Sequence, residues 1–153
     1  MPPRHHPELA LPIPNAHFIW YCAWLAVPSA IYAYSHAAST HLAIVPASVW
    51  ATSLLYWRNP LLDSWHRTLD MTAVFTGLTY NTYYAVSHAS PNHFGAYVAL
   101  IGTAISSYGV SIYLMTRGRI WPATYAHACV HLFGNIANMV LYEGCNKHYQ
   151  SRE

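Results

Sequence analysis

His127 and His131 stand one helical turn apart in the apolar stretch WPATYAHACVHLFGNIANMVLY, residues 121–142. Side chains four residues apart on a helix lie about 5–6 Å from each other at Cβ, so both imidazoles can reach one metal ion. Asn135 and Asn138 continue the series at offsets of eight and eleven from His127. At about 3.6 residues per turn these four side chains form one stripe. Polar groups inside a membrane helix are costly, so such a stripe marks either a function or a buried polar contact. Among the five carboxylates, Asp70 and Glu143 alone fall in or at the edge of an apolar stretch.

The elements that must position these residues follow from composition. The chain has 153 residues, one domain by length. It is 54% hydrophobic and only 8% charged, against roughly 25% charged in soluble domains. A water-facing surface cannot be built from that supply. The expected fold is all-α, a polytopic membrane bundle of about five transmembrane helices. The spans are read at 17–37, 40–57, 67–86, 93–115 and 121–142, each long enough for the roughly 30 Å hydrocarbon core. Residues 1–16 then form an N-terminal tail and 143–153 a C-terminal tail. The proline-rich start lacks the uninterrupted apolar run of a cleaved signal peptide. Pro28 and Pro46 are expected to kink the first two spans. Gly102, Ser106 and Gly109 make a small-residue face suited to close helix packing.

Charge sets the orientation. Five spans put Arg4, Arg58, Arg67, Arg117 and Arg119 on one side and Lys147 and Arg152 on the other. The positive-inside rule therefore places the N-terminus in the cytosol and the C-terminus outside or in a lumen. Trp57, Trp65 and Trp121 fall at the inner interface as an aromatic belt. The net charge of +2 comes with no Lys/Arg run, so nucleic acid is not an expected partner; membrane lipids are. Cys22, Cys129 and Cys145 show no metal spacing, and the first two read as small packing residues.

This topology brings residues from three helices to one depth. His127 and His131 lie two to three turns into the last span from the inner face. Asp70 lies about one turn into the third span, and Ser53 about one turn from the inner end of the second. Asp70 has two candidate partners: Arg67, three residues earlier on its own helix, and the histidine pair. Facing the pair, it could ligate a metal, orient a ligand histidine, or activate a metal-bound water. Two imidazoles with oxygen ligands and a water suit Zn2+. The pair could equally be hydrogen-bonded core histidines. Haem would need a further histidine at that depth on another helix, and none stands there.

The string His127-Ala128-Cys129-Val130-His131-Leu132 resembles the H-A-x-x-H-L of the last helix in the CREST superfamily. That group contains the alkaline ceramidases, the PAQR receptors and the phospholipases that remodel GPI lipids. Its pattern also has S-x3-H on the second helix and an Asp opening the third, matched here by Ser53-Leu54-Leu55-Tyr56-Trp57 and by Asp70 in RTLDM. The resemblance implies an intramembrane zinc hydrolase acting on a lipid amide or ester. The metal ligands would be His127, His131 and Asp70, and the catalytic groups Asp70 and Ser53. Two departures stand out. Trp57 occupies the place of the family's first histidine, and the family has seven spans. His66 or Asp70 would have to supply the missing ligand, or the chain is a degenerate, non-catalytic relative.

The alternative reading is a non-enzymatic membrane protein, either a proton or cation channel or transporter, or a structural subunit. Its polar line would run through Asp70, Asn81, His127, His131, Asn135 and Asn138. The histidines expected outside (His36, His41, His88, His93 and His148) would stand at its mouth. A five-span chain leaves little room for a pore, so a homo-oligomer is expected in that case. A retinal protein is excluded, because no Lys lies in any span.

Overall fold

The computed structural model describes residues 8–36 and 38–150, and these residues are organised almost entirely as helices. Helix α1 covers Ile13–Cys22 and runs through a short 3-10 turn, Ala23–Leu25, into α2, Ala26–Tyr34. A second 3-10 turn, Thr40–Ala43, leads into α3, Ile44–Trp57. Then follow α4 (Trp65–His88), α5 (Pro91–Thr116) and α6 (Ile120–Gln150). The only pairing of extended backbone among the described residues is an isolated antiparallel bridge between Leu9 and Leu61. All five apolar stretches are therefore helical. One of them, α5, is long and apolar enough to cross a membrane by length and composition. Helix α3 has 14 residues, and α4 and α6 carry the Asp, Asn and His residues that lower their apolar content.

The prolines act one turn upstream. A helical proline removes the hydrogen bond to the carbonyl four residues earlier and crowds that carbonyl. For Pro28 that residue is Trp24, in the middle of the first 3-10 turn. For Pro46 it is Leu42, in the second. Helix α4 starts where the Ser64 side chain accepts a hydrogen bond from the Arg67 backbone N–H at 3.3 Å, a standard N-cap. Only Ala89 and Ser90 separate α4 from α5, whose first residue is Pro91. Gly118, with φ 69°, closes the α5–α6 turn in the left-handed region that glycine enters freely.

Two boundaries differ from the sequence reading. Helix α1 begins at Ile13, inside the expected 1–16 tail. Helix α6 continues to Gln150 through most of the expected 143–153 tail and buries Gly144, Cys145 and Asn146. No proline follows Pro122 to stop it. The small face of α5 also differs. Ideal Cβ atoms built on Gly102 and Gly109 have nothing within 4 Å, so that face looks outward. The buried residues of α5 are Tyr97, Ala104 and Ser111, a seven-residue spacing suited to packing along a neighbouring helix. Ser111 donates to the Ala123 carbonyl of α6 at 2.9 Å.

Two apolar clusters form the interior. Leu42, Ala85, Tyr97, Leu141 and Tyr142 gather at one end, and Leu11, Ile19, Tyr56 and Trp57 at the other. Large apolar side chains such as Phe75, Tyr83 and Val86 are exposed on the outside of α4.

Candidate functional site

The last two turns of α3 present Thr52, Ser53, Tyr56 and Trp57 as buried residues, and α4 presents Asp70 to them. Asp70 is 8% exposed. One carboxylate oxygen, Oδ1, accepts hydrogen bonds from Ser53 Oγ at 2.7 Å and Thr52 Oγ1 at 3.0 Å. The structure thus joins Ser53 and Asp70, two residues expected at one depth, although Ser53 is neither of the expected partners of Asp70. Arg67 turns the other way and donates from Nη1 to the Leu62 carbonyl at 3.1 Å. The ion pair found among the described residues joins Lys147 and Glu143 at 2.9 Å, far along the chain from Asp70.

On α6 the rings of His127 and His131 lie 5.7 Å apart at 53°. Two imidazoles on one tetrahedral zinc, with Zn–N about 2.0–2.1 Å, have ring centres about 5 Å apart, so the pair suits half of such a site. The other half is differently furnished. Trp57 packs edge-on against His127, ring centres 4.9 Å apart at 66°, and Tyr108 of α5 approaches it at 5.9 Å. An indole N–H is a donor only and offers no lone pair. Among the described residues, no group of three His, Cys, Asp or Glu could hold one metal ion. Asp70 and the histidine pair therefore do not form a three-ligand group. His66 stacks on Trp65, ring centres 3.9 Å apart. A catalytic zinc site needs three protein ligands and an open position; the ring contacts place two imidazoles together, on one helix.

The asparagines are committed to helix contacts. Asn81 Nδ2 donates to Asn138 Oδ1 at 2.9 Å, joining α4 to α6. Ser29 Oγ donates to Asn135 Oδ1 at 2.7 Å, joining α2 to α6, and Asn135 Nδ2 donates to the His131 carbonyl at 2.8 Å. Near the start of α6, Asn15 Nδ2 of α1 donates to Thr124 Oγ1 at 3.0 Å. The sequence reading missed Asn15, Ser29 and Thr52 as members of this polar network. Thr52 is signalled only by its place next to Ser53, and Asn15, within the expected 1–16 tail, by nothing.

The second histidine group makes contacts with tyrosine rings, a backbone carbonyl and a serine hydroxyl. His41 and His88 both pack on the Tyr84 ring, at 4.8 and 3.9 Å. His36 Nδ1 bonds the Tyr32 carbonyl at 2.9 Å, and His93 Nδ1 bonds Ser90 Oγ at 2.6 Å. An open groove of about 450 Å³ at the start of α4 is lined by Leu62, Asp63, Ser64, Trp65, Arg67, Thr68 and Met71, and does not include the histidine pair. Comparison of the chain with protein-family models, curated proteins and solved structures finds no match.

Proposed function

We propose that this chain is a five-span membrane protein that lies among membrane lipids, with its N-terminus cytosolic and its C-terminus outside, and that its inner-leaflet cluster is a reduced, non-hydrolytic form of the CREST-type site. The single observation that carries this reading is Trp57 packed on His127. The contact supports α3 and α6 meeting at the level where the resemblance expects metal ligands. It also fills the third ligand's place with a group that cannot coordinate. The polar residues then act as interhelical ties. Their pairing into Asn81–Asn138, Ser29–Asn135 and Asn15–Thr124 argues against a water-lined pore. The remaining role is that of a structural subunit.

The second reading is the zinc-dependent lipid amide or ester hydrolase. The Ser53–Asp70 bond favours it, because it joins the two residues that the resemblance makes catalytic. In that reading His127 and His131 would hold a zinc ion, which supplies Lewis acidity and an acidified water. Asp70, positioned by Thr52, would accept a proton, and Ser53 would swing its single O–H from Asp70 to donate to a developing oxyanion.

Metal analysis and a hydrolysis assay on purified protein separate the two. The expected result is no near-stoichiometric zinc, and no turnover of ceramide or phospholipid above a His127→Ala/His131→Ala control. Zinc near one per chain, lost together with turnover in that control, would establish the second reading instead. Accessibility of terminal tags on opposite faces of sealed vesicles tests the five-span topology.

A further inference from the structure

Helices α1 and α6 run parallel, because their contacts rise together. Asn15 bonds Thr124, the rings of Phe18 and Tyr125 meet at 5.6 Å, and on α2 Ser29 bonds Asn135. In parallel helices an equal step along both keeps side chains facing. Phe18 meets both Tyr125, at 5.6 Å, and Trp121, at 6.4 Å, so four residues on Cys22 stands level with the turn between Tyr125 and Cys129. Cys22 and Cys129 are free thiols of intermediate exposure, and they are close enough to interact electrostatically. Cys22 is also the last residue of α1 before the 3-10 turn Ala23–Leu25, where the backbone leaves regular geometry and can adjust.

We propose that Cys22 and Cys129 form a dithiol modification site that closes to a disulfide by exchange with a small apolar disulfide. Axes of packed helices lie about 8–10 Å apart and Cα atoms about 2.3 Å from each axis, which leaves directly facing Cα atoms about 3.4–5.4 Å apart. That lies close to the span of a disulfide. In the first step one of the two thiolates attacks the reagent's S–S bond and releases one reagent thiol, leaving a mixed disulfide. The second thiolate then attacks the protein sulfur of that mixed disulfide and releases the other reagent thiol. The two protons lost by the cysteines end on the two released thiols. The new bond ties α1 to α6 beside the bend and fixes the angle between α1 and α2. Cys145 is buried, whereas Cys22 and Cys129 are partly exposed, which keeps it a poor competitor for the reagent.

The test treats the full chain, in detergent or lipid vesicles, with a membrane-permeant dipyridyl disulfide and reads it by mass spectrometry. The expected result is a chain lighter by two hydrogens, with a Cys22–Cys129 linked peptide, no retained pyridyl group on either, and reversal by dithiothreitol. Cys22→Ser and Cys129→Ser should each retain one pyridyl group on the remaining thiol and show no link. Pyridyl groups retained on both cysteines of the unaltered chain, no reaction, or a link to Cys145 or to another chain would overturn the proposal. The unaltered chain alone decides it if a variant fails to fold.

Discussion

The indole of Trp57 lies edge-on against the imidazole of His127, ring centres 4.9 Å apart. Position 57 is therefore the place from which α3 can complete the two-imidazole arrangement on α6. Trp57→His is expected to create a zinc site: the variant should tighten zinc binding by more than about 1.4 kcal/mol, a factor of ten. Metal content after dialysis and zinc titration check this. A gain that persists when His127 is replaced by Ala would show that the new imidazole binds elsewhere.

Asp70 provides a second expectation. Its Oδ1 holds the Ser53 hydroxyl at 2.7 Å and the Thr52 hydroxyl at 3.0 Å, while Arg67 is bonded to Leu62. Ser53→Ala should cost about 1–3 kcal/mol, since a buried acceptor loses its shorter bond. Thr52→Val should cost less, because the Thr52 hydroxyl also bonds the Ser48 carbonyl of its own helix at 3.0 Å. Arg67→Gln should change stability by no more than about 0.5 kcal/mol, the usual range for surface changes. Denaturation in detergent gives all three values. A large loss at Arg67 would mean that a local ion pair holds Asp70 after all.

How much of this was legible beforehand depends on the kind of relation. The helices and their proline-induced breaks are local, and the chain announces them through composition and spacing. The meeting of Ser53 and Asp70 was only half legible: the two are expected at one depth, but the expected partners of Asp70 are Arg67 and the histidine pair, and which helices are neighbours cannot be read from the chain. Which helix faces which neighbour is not a local property. Helix α5 has small residues on two sides, Gly102 and Gly109 on one and Ala104 and Ser111 on the other. In an apolar helix both sides look alike, and the packed side is Ala104 and Ser111. The contact of Trp57 with His127 is hidden for the same reason. The run of α6 to Gln150 lies beyond the apolar stretch, where the polar end of the sequence suggests a tail. Burial of Asn146, whose Oδ1 accepts from Ser39 at 3.3 Å, holds that end in place.

The asparagine contacts predict coupling without conduction. A double-mutant cycle of Asn81→Ala and Asn138→Ala should give about 0.6 kcal/mol and no more than about 1.7, the range found for hydrogen bonds between membrane helices. Proton or cation flux through reconstituted protein should stay at the empty-vesicle level in the parent and in both variants. Flux that vanishes on replacing Asn81 or Asp70 would restore the channel reading.

Glycines on α5 and α6 should respond in opposite ways. A Cβ added at Gly144 would meet His93 Cβ at 2.5 Å and Cγ at 2.9 Å, so Gly144→Ala forces the start of α5 away from the end of α6. The expected cost is about 1–3 kcal/mol, as for other overpacked sites. A Cβ at Gly102 meets nothing within 4 Å. Gly102→Ala should be neutral or stabilising by up to about 1 kcal/mol, from helix propensity alone. Thermal unfolding of both variants tests the pair. Destabilisation at Gly102 would show that its face is covered when the protein is assembled.

Glu143 ties stability to pH. The Tyr32 hydroxyl donates to Glu143 Oε2, and Lys147 lies at 2.9 Å from the other carboxylate oxygen. The Tyr32 bond first, and Lys147 second, hold the Glu143 carboxyl below its ordinary value of 4.5. A carboxyl with a lowered folded pKa takes up its proton less readily folded than unfolded. Its contribution is present in full above the unfolded value and fades as pH falls through the folded one. Tyr32→Phe removes the larger cause, so the variant should lose less stability than the parent between about pH 6 and about pH 3. The other carboxylates titrate alike in both chains, so the difference between the two melting-temperature profiles isolates Glu143. Profiles that stay parallel through that window would mean that the Tyr32–Glu143 bond does not form in the folded protein.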